Sequence, residues 1–180
     1  MTLAIDDALT LRALTGQPAE MAALQRVLEG SAAYFQCVIG GPPGGAEAQS
    51  TFSALPPGKD YGDKFVWGLY SGAAMIGCAD VIRGYPVRES AIIGLLLLAQ
   101  DRQRRGLGRA FAALVERKIA SWPEIERLRI GVVASNAGAL AFWRKLGYRE
   151  TGEVKPVQPG SGFVAEVIVL EKPVAGASSP

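Results

Sequence analysis

The run Ala91–Ala99, AIIGLLLLA, carries no polar side chain, and a strongly amphipathic segment follows it within a few residues. A strand that is apolar on both faces belongs inside a sheet that is covered on both sides. The segment from Gly106 onward places Leu107, Ala110, Phe111, Leu114, Val115 and Ile119 on one face of a helix. The run is far short of the roughly 20 residues that cross a bilayer. The chain must therefore build a layered α/β structure around a central strand that feeds directly into a helix.

The flanking sequence supplies the other layers. Leu9–Leu14 reads as a first strand, and Pro18 opens a helical pattern through Met21, Leu24, Val27 and Leu28 that stops near Gly30. Ser31 can cap a second short helix holding Tyr34, Phe35 and Val38, and GGPPGG (Gly40–Gly45) is a loop followed by a helix around Ala46–Ala54. KFVWGLY and AAMIGCADVI, separated by SG, form a hairpin. RLRIGVVA is the next strand, Ala137–Leu146 a helix stopped by Gly147, and Tyr148–Val154 and Phe163–Leu170 are closing strands around QPGSG. This order gives an α/β fold of the α+β type with a mixed, mostly antiparallel sheet flanked by helices. At 180 residues, with 49% hydrophobic and 20% charged side chains, one domain over 1–174 is expected, followed by a fraying tail at 175–180. The N-terminus, with Asp6 and Asp7, lacks the pattern of a secretion signal, and a cytoplasmic protein is expected.

The turn Gln103-Arg104-Arg105-Gly106-Leu107-Gly108 sits where the first N–H groups of a helix have no acceptor. Such amides and the helix dipole attract an anion, and glycines allow a phosphate to approach the main chain. Arg104, Arg105 and Arg109 add positive potential. The same residues also suit a solvated basic turn with glycines kept for tight packing. The turn lacks the Gly-Lys-Ser/Thr ending of a phosphate-binding P-loop, and Phe111 stands where a dinucleotide fingerprint needs its third glycine. The chain has no histidine, which excludes Ser-His-Asp and Cys-His chemistry. Two cysteines, Cys37 and Cys78, make neither a disulfide framework nor a zinc quartet, so no metal is expected. A net charge of +2 is too mild for a dedicated nucleic-acid binder, and no aromatic platform accompanies the arginines.

Gln103-x-x-Gly106-x-Gly108 after an apolar strand resembles the acyl-CoA signature of the GNAT N-acetyltransferase superfamily, and NAGALAFWRKLGY (Asn136–Tyr148) is similar to that family's later motif. The two occur in the family's order, separated by one helix and one strand. The resemblance implies transfer of acetyl from acetyl-CoA directly to an amine, with coenzyme A as product. It implies that the amides of Gln103–Arg109 hold the pyrophosphate and that Asn136 lies beside the pantetheine arm. Ala139 and Phe142 would form an apolar wall, with Trp143 at the neighbouring cofactor position. By alignment, the backbone N–H of Leu96 would face the thioester oxygen and Leu98 would bind the arm. Gly94 suits the bulge that often distorts this strand, or simply close packing.

Two features depart from the family pattern. Trp143 stands where many relatives place a tyrosine that supplies a proton to the leaving sulfur, and Ile92 stands where the commonest carboxylate base would be. Asp80 and Glu89 are the remaining candidates for the base; both also read as structural carboxylates, and Asp60 and Asp63 as loop residues. Tyr34 and Tyr85 are candidates for the acceptor cleft, whereas Phe35 and Trp67 read equally well as core. No strongly acidic track is present, so the expected partner is a small-molecule amine, without nucleic acid or membrane. A homodimer follows only from family habit. The alternative reading is a module of the same fold that binds acyl-CoA without turnover.

Overall fold

The computed structural model describes residues 9–158 and 162–175. The N-terminal segment read for a leader, the middle of the QPGSG turn, and the tail from residue 176 lie outside them. The described chain runs β1 (Leu9–Ala13), α1 (Pro18–Glu29), α2 (Ala32–Ile39), α3 (Glu47–Ser53), β2 (Lys64–Ser71), β3 (Ala74–Arg83), β4 (Ser90–Leu98), α4 (Leu107–Ile119), β5 (Arg127–Val133), α5 (Ala137–Lys145), β6 (Arg149–Val157) and β7 (Ala165–Pro173). The strands form one seven-stranded sheet in the order β1-β2-β3-β4-β5-β7-β6. Only β4 and β5 run parallel; every other neighbouring pair is antiparallel. The mixed, mostly antiparallel α/β architecture expected from the sequence is present, with β7 inserted between β5 and β6.

Strand alternation divides the core between the two faces. Ala79, Val81, Ala91 and Ile93 join Phe111, Val115 and Ile119 of α4 and Leu140 and Trp143 of α5. Cys78 and Leu97 join Leu24, Val27 and Leu28 of α1, and Phe35 of α2, on the opposite face. Thus β4 is the middle strand and is covered on both sides, as its composition demands. The ends of α1 and α5 follow their local signals. Pro18 opens α1 at its first position, Glu20 completes a capping box with Gln17, and Gly147 leaves α5 with φ +91°. Ser31 precedes α2 but does not cap it. It is 1% exposed, and its hydroxyl donates to the carbonyl of Val27 at 2.9 Å.

One strand departs from the expected uniform burial. Opposite β3, Asp80 pairs with Leu95 and Val81 with Ile93, so Gly94 is the extra residue of a bulge. Beyond this point β5 has left: β4 and β5 pair only over Ser90–Ile93 and Arg127–Ile130. Gly94, in the middle of the central strand, is consequently exposed.

Candidate active site

The separation of β4 from β5 leaves an open backbone edge. Ala99, just past the end of β4, donates its N–H to the carbonyl of Ile76 in β3 at 3.0 Å. The period of two in an antiparallel ladder turns Leu97 the same way, so the N–H groups of Leu96 and Leu98 point away from β3 into the gap. The carbonyl of Leu98 accepts from Gln103 Nε2 at 2.9 Å, which ties the strand end to the basic turn.

That turn is folded to present amides. Arg104 and Gly106 have φ of +61° and +76°, and Gly106 is the N-cap of α4 with no side-chain cap. A short 3-10 turn, Gln100–Arg102, uses the N–H groups of Arg102 and Gln103. From Arg104 to Gly108, five successive amides find no backbone acceptor among the described residues. A Cβ built on Gly106 would have nothing within 4 Å, so the space in front of this turn is open. Arg104, Arg105 and Arg109 are exposed, and no carboxylate pairs with them among the described residues. Free amides, a bare glycine, a helix N-terminus and three free guanidinium groups together fit a diphosphate. Gly108 has a different reason for its identity: a Cβ there would lie 3.3 Å from the Phe142 ring, so α5 and the start of α4 touch.

The later motif is brought to the same place. Asn136 Oδ1 accepts from the N–H of Ala139 at 3.0 Å, capping α5 and leaving the amide nitrogen of the side chain uncommitted. Ala139 and Phe142 are half-buried beside the gap-facing end of β4. Trp143, expected at the neighbouring cofactor position, faces the core. It is 7% exposed and packs in the core, edge-on to Tyr148 at 4.9 Å, because α5 turns this bulky position inward. Tyr148 in turn donates its hydroxyl to Glu116 at 3.0 Å.

The structure separates the carboxylate and aromatic candidates. Glu89 is exposed just before Ser90, at the far end of β4. Seven residues of strand place it ~23 Å from Leu96, so it does not reach the gap. Tyr85 lies in the same β3–β4 connection and is equally remote. A hollow of about 840 Å³ at that end is lined by Lys59, Asp63, Arg83, Arg88 and Glu124. Its charges largely satisfy one another through Lys59–Asp63 and Arg83–Glu124. Asp60 caps the turn before β2 by accepting from the Gly62 N–H at 2.7 Å. Phe35 is buried in the α1–α2 core, and Trp67 lies on the opposite face with Phe65 and Trp122.

Asp80 remains. It sits in the middle of β3 on the face of Cys78 and Tyr34, and Oδ2 lies 3.4 Å from where a Gly94 Cβ would be. The bulge glycine therefore lets a β3 carboxylate lean over the exposed part of β4. Burial pushes the Asp80 carboxyl above its ordinary range, partly opposed by the Lys64 ammonium. Burial, with the negative potential of nearby groups including Asp80, likewise raises the Tyr34 phenol. Lys64 was not singled out by sequence. Its partnership with Asp80 depends on the β2–β3 register, which contains its own irregularity at Leu69/Tyr70. Cys37 of α2 lies 3.5 Å from the Ser135 hydroxyl, in the connection between β5 and α5.

A family model described as the Acetyltransferase (GNAT) family matches residues 39–148. The chain belongs to the GNAT acetyltransferase family. Among solved structures, an acetyltransferase from Thermus thermophilus is 28% identical, with a TM-score of 0.70 over 92% of this chain and 96% of that one. The ribosomal-protein-S18-alanine N-acetyltransferase from Escherichia coli shares the fold at 20% identity, with a TM-score of 0.68 over 95% of this chain and 97% of that one. Spermidine N-acetyltransferase from Vibrio cholerae, in complex with CoA and spermine, shares it at 14% identity, with a TM-score of 0.66 over 92% and 95%. No curated protein matches the chain. Among the described residues, no group of His, Cys, Asp and Glu could hold a metal ion, and no helix is long and apolar enough to cross a membrane.

Proposed function

We propose that this protein transfers acetyl from acetyl-CoA directly to the primary amine of a small acceptor. The observation that carries the reading is the meeting of two unsatisfied backbone surfaces, the amides of Arg104–Gly108 and the gap-facing edge of β4. Acetyl-CoA supplies an activated acetyl thioester. The turn amides with Arg104, Arg105 and Arg109 hold the diphosphate, and Leu98 and the Asn136 side chain hold the arm in extended form. Ala139 and Phe142 give it an apolar wall. The Leu96 N–H donates to the carbonyl oxygen on which charge develops, a backbone contribution that needs no side-chain movement. Use of this cofactor suits a cytoplasmic protein.

Asp80, and not Glu89, takes the proton task. A primary amine is protonated up to a pH of about 10, so it must lose a proton before or during attack. Asp80 stands over Gly94, two residues from Leu96, a separation of ~7 Å that accommodates an amine or an amine and one water. Tyr34, packed against the core cluster of Cys78 on the same face of the sheet, serves as a wall of the acceptor cleft. The departing sulfur receives no aromatic hydroxyl from α5; with an ordinary thiol pKa of about 8.5 it leaves partly as thiolate.

The assay is incubation with acetyl-CoA and a panel of small amines, with free thiol followed over time. Amine-dependent thiol release is the expected result. The core position of Trp143 favours a second reading, an acyl-CoA-binding module without turnover. Thermal stabilisation by acetyl-CoA with no release across the panel selects it.

A further inference from the structure

Lys64 is a lysine with only 4% of its side chain exposed, at the first position of β2. Lysine is almost never so buried unless paired, and buried pairs are often replaceable by apolar residues without loss of stability. Its ammonium lies 2.9 Å from both carboxylate oxygens of Asp80, but only Oδ2 is in line to accept a hydrogen bond. Oδ1 is buried with no hydrogen-bond partner. The other titratable groups facing the carboxyl are Tyr34 from α2 and Cys78 from β3, and neither carries positive charge. From β4 the position is bare, because Gly94 is there. Among the described residues, one cation thus stands against the burial of this carboxylate.

We propose that Lys64 is a positioning residue that favours the ionised form of Asp80 and fixes it over the Gly94 bulge, and so sets the pH above which Asp80 accepts a proton from the acceptor ammonium. The proposal rests on the N-acetyltransferase reading. In the step concerned, the proton of R–NH3+ passes to the Asp80 carboxylate, giving R–NH2 and a carboxylic acid. The acid returns its proton to water after the amine nitrogen has formed its new bond to carbon. The pair is neutral as a unit, so it offers a base to the amine without adding a surplus anion to the cleft.

Removing the ammonium removes an opposite charge at contact distance, which ordinarily moves a carboxyl midpoint by about 1–3 pH units. Lys64→Met therefore raises the Asp80 midpoint by at least about one unit, and Lys64→Arg holds it near the wild-type value. At a pH below both midpoints, a shift of about one unit lowers kcat/KM about tenfold, because the rate follows the ionised fraction.

The experiment has two arms. The first titrates the Asp80 carboxyl carbon by NMR in wild type, Lys64→Met and Lys64→Arg, with Asp80→Asn identifying the signal. The second records kcat/KM against pH for the amine from the panel that wild type acetylates fastest. Parallel movement of the carboxyl midpoint and the acidic limb of the rate profile, restored by arginine, is the expected result. An unmoved midpoint overturns the proposal, and so does a moved midpoint with an unmoved acidic limb. If wild type acetylates no amine while the midpoint still moves in Lys64→Met, the acetyltransferase reading has failed and the catalytic role of Lys64 goes with it. Should Lys64→Met not fold, Lys64→Gln, equally uncharged but polar, is judged by the same two readings.

Discussion

Gly106→Ala separates the backbone role of this glycine from the diphosphate-binding role proposed for it. In the free protein the new methyl group meets nothing within 4 Å, so the fold is disturbed only through the backbone, whose φ is +76°. A left-handed conformation costs a non-glycine residue about 1–2 kcal/mol. In a domain of this size that lowers Tm by roughly 2–8 °C, which leaves a folded variant. On the proposed reading, the same methyl group also occupies the space through which the diphosphate of coenzyme A approaches the amides. Loss of one hydrogen bond to a charged group costs about 2 kcal/mol, and a ~30-fold weaker Kd for coenzyme A follows. Titration calorimetry with coenzyme A measures this directly, and a thermal melt without ligand measures the backbone effect. Gly41→Ala is the control: its Cβ position is equally open but its φ is unexceptional, so both quantities stay at wild-type values. A folded Gly106→Ala protein that binds coenzyme A within about twofold of wild type would falsify the assignment of this turn.

Other perturbations read other parts of the molecule. Burial, reinforced by Asp80, pushes the Cys78 thiol up to about 12, while Cys37 is half-buried. A thiol reagent at pH 8 therefore modifies about one cysteine per folded chain and two after unfolding; rapid modification of both in the native state contradicts the packing of β3. Tyr148→Phe deprives Glu116 of one of its two donors, the other being Lys172 at 2.8 Å, and lowers stability by about 2 kcal/mol, seen as a Tm drop of roughly 4–8 °C. Gly77→Ala would place a Cβ 2.8 Å from the Leu97 carbonyl oxygen, an atom that cannot move without disrupting the β3–β4 ladder. Denaturant unfolding is expected to show a loss of about 1–3 kcal/mol. Asp80→Asn retains coenzyme A affinity, since the turn is untouched, and loses most amine-dependent thiol release. Undiminished release removes Asp80 from the proton task.

The sequence carried the central strand, the basic turn and both helices of the site because each depends on local chemistry: an unbroken apolar run, glycines at positive φ, a 3.6-residue apolar stripe. Gly94 was legible for the same reason, as a glycine inside a strand. Position along a strand was not legible in the same way. Glu89 and Leu96 are close in sequence, yet a strand carries the chain away at about 3.3 Å per residue, so the residues before β4 and those after it sit at opposite ends of the sheet. Tyr85 was displaced by the same arithmetic. Lys64 and Asp80 illustrate the converse. They are sixteen positions apart, and only a hairpin register with an irregularity at Leu69/Tyr70 makes them neighbours. Trp143 shows a third case, in which the rotation of α5 about its axis, not legible in the motif, turned the ring into the core.

The short parallel pairing of β4 with β5 has a mechanical consequence. Four rungs, Ser90–Ile93 against Arg127–Ile130, are the seam between a leaf made of β1–β4 and a leaf made of β5–β7. A guest that bonds to the lip of one leaf while resting on α5, which follows the other, rivets the two together. Amide exchange along that seam should then slow far more on loading than exchange at the outer rims, so that what fills the open gap also fastens the two leaves.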